Sequence, residues 1–131
     1  MANTFHCSVI TPERAVLECD AKFVAFPAHD GELGVLTGRA PLLCRMGIGT
    51  LRVEAEGENH TLFVAGGFAQ VVGNKLTLLT SQAMTTDELD RDSAKQAMIE
   101  ARAMSIPDDD AYTARQEAMK SAQVQLRLAK K

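Results

Sequence analysis

The distribution of glycine divides this sequence into two parts that favour different kinds of secondary structure. All nine glycines lie between Gly31 and Gly73, and all five phenylalanines precede the last of them. From Asp87 onward there is no glycine, and nine of the last 45 residues are alanine. Phenylalanine, β-branched residues and turn glycines favour short strands, whereas alanine, glutamate and lysine favour helices. The sequence therefore predicts a β domain over residues 1–85 and a helical domain over residues 86–131.

The first part contains eight short segments with the composition of strands. They are Phe5–Ile10, Ala15–Cys19, Lys22–Phe26, Leu33–Leu36, Ile48–Glu54, Thr61–Ala65, Phe68–Val72 and Lys75–Thr80. Turn residues at Glu56–Asn59 and Gly73–Asn74 separate neighbouring segments, and Gly66–Gly67 fits a bend or bulge between two strands. This spacing predicts an antiparallel sandwich or barrel with hairpin connections.

The second part has the start and stop signals of two helices. A capping box of the S/T-x-x-E type at Thr85–Glu88 predicts a first helix from Asp87 to Met104. Pro107 ends that helix, because the residue before a proline is disfavoured in helical conformation. The three aspartates that follow cap a second helix that extends to Ala129. The short linker predicts an antiparallel two-helix hairpin.

We expect the two helices to touch through small side chains. The expected contact residues are Ala114, Ala118 and Ala122 on the second helix and Leu89, Ala97, Ala101 and Met104 on the first. Alanine lets helices approach closely but buries little apolar area, at about 25 cal/mol per Å². The expected hairpin is therefore held weakly.

Composition and charge exclude several functional classes. The net charge of −3 leaves no basic patch large enough for a nucleic acid. The longest apolar runs are only a few residues, which predicts no transmembrane helix, and residues 1–12 lack the pattern of a secretory leader. The three cysteines, Cys7, Cys19 and Cys44, have no paired spacing and are expected to be reduced thiols.

None of the candidate chemical motifs is expected to form a catalytic or metal site. Adjacent strand residues point to opposite faces, so His6 and Cys7 should not converge on one ligand. The glycine-rich run over residues 31–38 lacks the Lys-Ser/Thr pair of a phosphate-binding loop. Asp108–Asp110 needs no metal, because acidic residues are typical of a helix start. From the residues alone we expect no active site, cofactor or metal.

Two segments of the β domain resemble signatures of the ATP synthase epsilon subunit family. His29–Leu43 reads HDGELGVLTGRAPLL, similar to the family's GELGVLPGHAPLL, and Ala65–Val71 reads AGGFAQV, similar to its SGGFxEV. Asp87–Asp90 lies where that family begins its helices, and the resemblance covers essentially the whole chain. It implies a β-sandwich of about ten strands followed by an antiparallel two-helix hairpin. It also implies a non-catalytic subunit of the rotor stalk of an F-type synthase driven by protons or sodium ions.

The resemblance further implies partners and the residues that meet them. In the family the sandwich binds the gamma subunit and rests on the ring of c subunits, on the cytoplasmic face of the bacterial inner membrane. The helices can extend along gamma towards the catalytic alpha and beta subunits and block ATP hydrolysis. The implied gamma and c-ring contact residues are His29, Glu32, Arg39, Pro41 and Leu42, with Glu32 expected in a glycine-bounded loop. The implied basic residues of the regulatory helix are Arg115, Lys120 and Arg127, followed by Lys130 and Lys131.

One departure from the family concerns nucleotide. Some bacterial members bind ATP through an I/L-D-x-x-R-A motif on the first helix and further arginines on the second. The corresponding segment here, Leu89–Ala94, reads LDRDSA, so Ser93 replaces the motif's arginine. Ala114 and Ser121 stand where those members carry arginines on the second helix. Serine and alanine cannot neutralise a triphosphate, so we expect no ATP binding.

Two other classes of function fit parts of the sequence. One is an adaptor module whose sandwich and helix pair dock other proteins, and co-purification with gamma and the catalytic subunits would argue against it. The other is a stand-alone enzyme that uses Cys44 or Cys7 with a histidine. Loss of a defined activity on thiol alkylation would support that enzyme.

Overall fold

The computed structural model describes residues 3–129, which divide into two compact units that meet between Thr85 and Thr86. In the described part of the first unit there are seven strands, and two helices follow in the second. The strands are β1 (Phe5–Ile10), β2 (Ala15–Ala28), β3 (Gly31–Leu36), β4 (Leu42–Ala55), β5 (Glu58–Val72), β6 (Lys75–Leu79) and β7 (Gln82–Thr85). The helices are α1 (Arg91–Ala103) and α2 (Asp109–Leu128).

Strands β2, β4 and β5 are long, and β2 and β5 each change at least one neighbour along their length. The first half of β2 pairs with β1, and its second half pairs with β3 and β4. β5 pairs with β7 over Leu62–Ala65 and with β6 over Phe68–Val72, while its other edge stays on β4. Only the β1–β6 pair is parallel among these pairings. Strands that change neighbour in this way, here β2 and β5, are typical of a sandwich in which strands pass from one layer to the other.

This sharing explains why the strand count differs from the expected one. The described residues form seven strands, whereas the composition predicted eight and the family resemblance implied about ten. The expected strands Ala15–Cys19 and Lys22–Phe26 are both parts of β2, and Thr61–Ala65 and Phe68–Val72 are both parts of β5. A strand that bends from one layer to the other keeps its hydrogen bonds, so the bend does not end it. The four-residue β7 has one β-branched residue and no aromatic one, and its composition did not predict it.

Two of the four hairpin turns among the described strands contain the glycines that signalled them in the sequence. Gly73 and Asn74 both have positive φ angles, +58° and +61°, and join paired residues Val72 and Lys75. Positive φ at both central residues defines the type I′ turn that matches strand twist, and this predicted turn is confirmed. The β4–β5 turn is shorter than expected, since Asn59 already pairs within the ladder.

The core of the first unit is built from alternate residues of the strands. The largest fully buried side chains of that core are Phe26, Leu51, Leu62, Leu76 and Leu78. The expected alternation in β4 is confirmed, because Val53 is buried while Arg52 and Glu54 are exposed. His6 and Cys7 point to opposite faces as expected. Cys7 is fully buried, and the exposed imidazole of His6 lies 3.5 and 3.6 Å from two carboxylates of β2.

The helical unit begins later than the capping box predicted. Asp90 is the N-cap of α1, and its carboxylate accepts hydrogen bonds from the N–H and the hydroxyl of Ser93, at 3.0 and 2.7 Å. The expected start at Asp87 is wrong, because residues 86–88 form a turn and the helix begins only at Arg91. The expected cap of α2 is confirmed, since the Asp108 carboxylate accepts the N–H of Ala111 at 2.8 Å.

The alanine contact differs in detail from the expected one. Of the expected residues, Leu89, Ala101 and Ala122 are buried and Ala118 is half-buried, whereas Ala97, Met104 and Ala114 are exposed. Ala94, which was not expected there, is buried. Each step of four residues exceeds a full helical turn by about 40°, so Ala114 lies well around the helix from Ala122. Arg115 is half-buried and joins the two helices, donating to the carbonyl of Arg102 at 3.4 Å.

Candidate partner-binding surfaces

Two of the expected contact residues, His29 and Glu32, lie in or next to the turn between β2 and β3. His29 lies in the turn with its side chain exposed, and its backbone N–H donates to the carbonyl of Arg45 at 3.0 Å. Glu32 is in β3 and not in a loop, because Gly31 turns the chain and the ladder resumes at once. Its carboxylate lies 3.1 Å from the guanidinium of Arg52, with both side chains about half exposed. Glu32 therefore has a structural partner that its sequence position did not reveal.

The other three expected contact residues are Arg39 and Pro41, in the segment that follows β3, and Leu42, at the start of β4. Residues 37–41 form an exposed connection, closed at its start by a hydrogen bond of 3.2 Å from the Arg39 N–H to the carbonyl of Leu36. The side chains of Arg39 and Pro41 are exposed, and Leu42 opens β4 with a half-buried side chain. This connection presents one cation and apolar surface to solvent.

Cys44 shows that the turn and the connection lie near one another. Burial raises the pKa of its thiol, the charge of Arg39 opposes that rise, and the charge of Asp30 adds to it. Both charges therefore act on one sulfur, which places the turn at His29 and the connection at Arg39 around Cys44. The structure thus brings most of the expected contact residues into one region of the first unit.

The sheet that contains β6 has an apolar outer face that the sequence did not single out. We call its four exposed apolar residues, Leu43, Phe68, Val72 and Leu79, the outer patch. Their side chains are between 50% and 69% exposed. Phe68 lies directly opposite Leu79, and Arg45 lies on its other side. A row of exposed apolar side chains across paired strands is typical of a face that another molecule covers.

A groove of about 410 Å³ lies beside Phe68 and Leu79. Its other lining residues include Ile10, Pro12, Thr80 and Ser81. Strict alternation could have found this face: in Phe68–Val72 the buried residues are Ala69 and Val71, which leaves Phe68 and Val72 outside. An apolar residue at an outward position of such a strand was the available signal.

The basic residues expected on the second helix do not share one face. Lys120 and Arg127 are exposed and seven residues apart, which places them within about 20° of each other around the helix. Arg115 instead points at α1, where it donates to the last turn of that helix. A cation there interacts favourably with the helix dipole. Lys130 and Lys131, which the sequence placed at the helix end, lie outside the described residues.

The three positions that replace nucleotide-binding arginines have other surroundings. The Ser93 hydroxyl donates to the Asp90 carboxylate, and this hydrogen bond is the first cause that holds the pKa of Asp90 below its usual range. Ser121 accepts from the amide of Gln125 at 3.1 Å, and the side chain of Ala114 is exposed. These groups offer no positive charge to a phosphate.

Residues 3–129 can be assessed for metal ligands and for membrane-spanning helices. They contain no group of three or more histidine, cysteine, aspartate and glutamate side chains that could hold a metal ion. None of their helices is long and apolar enough to cross a membrane.

The chain is a two-unit protein in which a β-sandwich with an exposed apolar patch is followed by a helical hairpin. A family model described as the β-sandwich domain of the ATP synthase Delta/Epsilon chain matches residues 4–86. The chain belongs to the ATP synthase epsilon chain family. An epsilon chain is a stalk subunit of ATP synthase and not a catalytic one, so the expectation of a non-catalytic subunit is confirmed and the stand-alone enzyme is not supported.

Curated relatives match over nearly the full length. The ATP synthase epsilon chain of Rhodopirellula baltica is 40% identical over 127 residues, covering 97% of this chain and 99% of that protein. The epsilon chain of Nitratidesulfovibrio vulgaris is 34% identical over 130 residues, covering 98% and 97%.

The fold also matches a solved structure. A chain in the cryo-EM structure of the Euglena gracilis mitochondrial ATP synthase, which contains OSCP, F1 and the c-ring, superposes with a TM-score of 0.81. The identity is 24%, and the match covers 94% of this chain and 79% of that one. The likeness supports the fold, and the sandwich with two helices expected from the sequence is confirmed.

Proposed function

We propose that this chain couples rotation of the c ring to ATP synthesis in an F-type ATP synthase and restrains ATP hydrolysis through its helical unit. The observation that supports this most is the outer patch. Its four apolar side chains lie exposed on one face of a sheet, whereas the core cluster of the sandwich is buried. A stalk subunit needs such a face, because torque passes only through a stiff body held firmly by its neighbour.

The two surfaces of the first unit suit different partners. The outer patch is apolar and fits the gamma subunit, with which a stalk protein forms a lasting contact. The region around His29 and Arg39 is charged and exposed, and it fits the polar loops of the c subunits. The helices reach the catalytic alpha and beta subunits when they extend. The chain is then peripheral to the bacterial inner membrane, on its cytoplasmic face.

The assignment of the outer patch to gamma is tested by placing a charge in it. We expect Phe68→Asp to weaken co-purification with gamma at least tenfold, about 1.4 kcal/mol, because a buried unpaired carboxylate is costly. Leu36→Asp is the matched control: Leu36 is 63% exposed, lies in β3 and is not part of the outer patch. Equal retention of gamma by both variants would show that gamma binds elsewhere.

The c-ring contact is tested at Glu32, where the ion pair supplies its own control. Glu32→Lys and Arg52→Glu each break the same pair, so a merely structural role makes both variants equally defective. We expect Glu32→Lys alone to lower ATP-driven proton pumping by about half or more in mutant membranes. An exposed pair of this kind contributes only about 0–1 kcal/mol to stability, so both isolated proteins should fold. Unchanged pumping by Glu32→Lys would remove this residue from the contact.

We also propose that this chain does not sense ATP. Titration calorimetry on the full chain should give no binding tighter than millimolar, about 4 kcal/mol. The Ser93→Arg variant combined with Ala114→Arg and Ser121→Arg should gain affinity, because it supplies the missing cations. A saturable micromolar isotherm for the unmodified chain would contradict the proposal.

A further inference from the structure

Two of the three cysteines face each other across neighbouring strands. Cys7 of β1 is the direct partner of Cys19 of β2 in an antiparallel pair, and both are free thiols. Directly opposite residues of a sheet project to the same face. The partner of Cys44 in the ladder is Ala69, so the third thiol has no cysteine opposite it. The residues are twelve apart in the sequence, and their spacing alone did not pair them.

The backbone directions define the kind of pair. The N–H of His6 donates to the carbonyl of Asn74, on the side of β6, at 3.2 Å. Successive amides of a strand point to opposite sides, so the amide of Cys7 points to β2. Cys7 and Cys19 are then a hydrogen-bonded pair, whose Cα atoms lie about 5.5 Å apart. That distance falls inside the range of about 4.4–6.8 Å found in disulfides.

The charge of Cys19 also acts on the Cys7 thiol. Burial raises the pKa of the Cys7 thiol to about 12, and the charge of Cys19 adds to that rise. Cys19 is only partly buried, and burial followed by the charges of Asp20 and Glu58 raises the pKa of its thiol. Cys19 is therefore the thiol that a solvent-borne reagent reaches first.

We propose that Cys7 and Cys19 form a reversible disulfide by exchange with a small disulfide such as oxidised glutathione. The Cys19 thiolate attacks one sulfur of the oxidant, which breaks its S–S bond and releases one glutathione thiolate. The Cys7 thiolate then attacks the Cys19 sulfur, forms the internal S–S bond and releases the second glutathione. The protein loses two electrons and two protons, and both are recovered in two molecules of reduced glutathione.

The position of Cys19 in the sheet permits the second step. Over Ala15–Asp20, β2 has β1 as its ladder partner among the described residues, so this segment is an edge. An edge segment opens at lower cost than a central strand. The Cβ atoms of opposite residues lie about 4.5–5.5 Å apart in a sheet, against about 3.8 Å in a disulfide. Closing that difference makes the bond more easily reduced, which suits a reversible site.

The experiment uses the folded full-length Cys44→Ser protein, oxidised glutathione and trypsin. Arg14 and Lys22 are cleavage sites that separate the two cysteines into peptides 1–14 and 15–22. We expect these two peptides to be joined after oxidation, and released by dithiothreitol. The initial rate should rise about tenfold per pH unit between pH 7 and 8, because the thiolate of Cys19 is the attacking species and its pKa lies higher.

Controls separate this site from general thiol oxidation. Cys19→Ser and Cys7→Ala should each abolish the joined peptides. Because Cys19 lies on the edge segment, Cys19→Ser should keep the fold, and circular dichroism checks this. In the unmodified chain Cys44 should carry glutathione and join no other peptide. The proposal is overturned if Cys44 is fully modified while peptides 1–14 and 15–22 stay separate. It is equally overturned if they join only in urea, or if Cys44 is the partner.

Discussion

Replacing Gly67 by alanine is expected to destabilise the β-sandwich by about 3 kcal/mol or more. A Cβ atom at this position would lie 1.9 Å from the carbonyl oxygen of Leu79 and 2.7 Å from the Cα of Thr80. Both are backbone atoms, so no side-chain rotation relieves the clash. The φ angle of +111° adds strain for any residue with a side chain.

The close approach arises from the topology of the sheet. Along one edge of β5 the neighbouring strand changes from β7 to β6, and Gly67 lies at that change. The connection between β6 and β7 passes over Gly67. Thr80 fixes that connection: its N–H donates to the carbonyl of Ile10 at 2.9 Å, and its hydroxyl lies 3.0 Å from the carbonyl of Gln82. Moving the connection away from a Cβ would break these bonds.

Gly57→Ala is the matched control. Gly57 also has a positive φ angle, +83°, but nothing lies within 4 Å of a Cβ placed there. It should lose only about 1 kcal/mol, the cost of the left-handed conformation. Urea unfolding followed by circular dichroism measures both losses, and equal midpoints for the two variants would contradict the role of the close approach.

The sequence predicted the parts of the fold that depend on local chemistry. Gly73–Asn74 was recognisable because a type I′ turn needs residues that tolerate positive φ. Asp108 was recognisable because a carboxylate before a helix accepts its unpaired N–H groups. The capping box at Thr85–Glu88 does not begin the helix, which starts at Arg91. Thr85 is held in a ladder with β5, and nothing near it in the sequence shows that partner.

The candidate site was also predictable only in part, because some of its contacts depend on tertiary structure. The motif singled out His29 and Arg39 as contact candidates, and both side chains are exposed in the structure. It could not place Arg52 beside Glu32, because those residues are brought together by the path of β4. The outer patch depends on which face of a strand the core covers, and the Cys7–Cys19 pair on strand register. Such facts are set by tertiary contacts.

Removing the helical unit is expected to raise ATP hydrolysis by the reconstituted complex about fivefold or more, the lower range of an allosteric coupling of 1–3 kcal/mol. The chain should end after Thr86, since Thr85 completes β7 opposite Leu62 and ending at Met84 would damage that ladder. The sandwich keeps its core, because the buried cluster is formed within it. Synthesis should change much less, since gamma binding by the outer patch is retained.

Charge reversal distinguishes restraint of ATP hydrolysis by electrostatic attraction from restraint by steric obstruction. Lys120 and Arg127 share a face of α2, so Lys120→Glu combined with Arg127→Glu should reproduce most of the rise in hydrolysis. Lys95→Glu reverses an exposed charge on α1 and should leave the rate unchanged. Because charges are screened beyond about 8 Å at physiological salt, the difference between full-length and truncated protein should shrink as salt rises. Equal rates for both proteins at low and high salt would mean that the helices do not restrain hydrolysis and that the chain acts only through its sandwich.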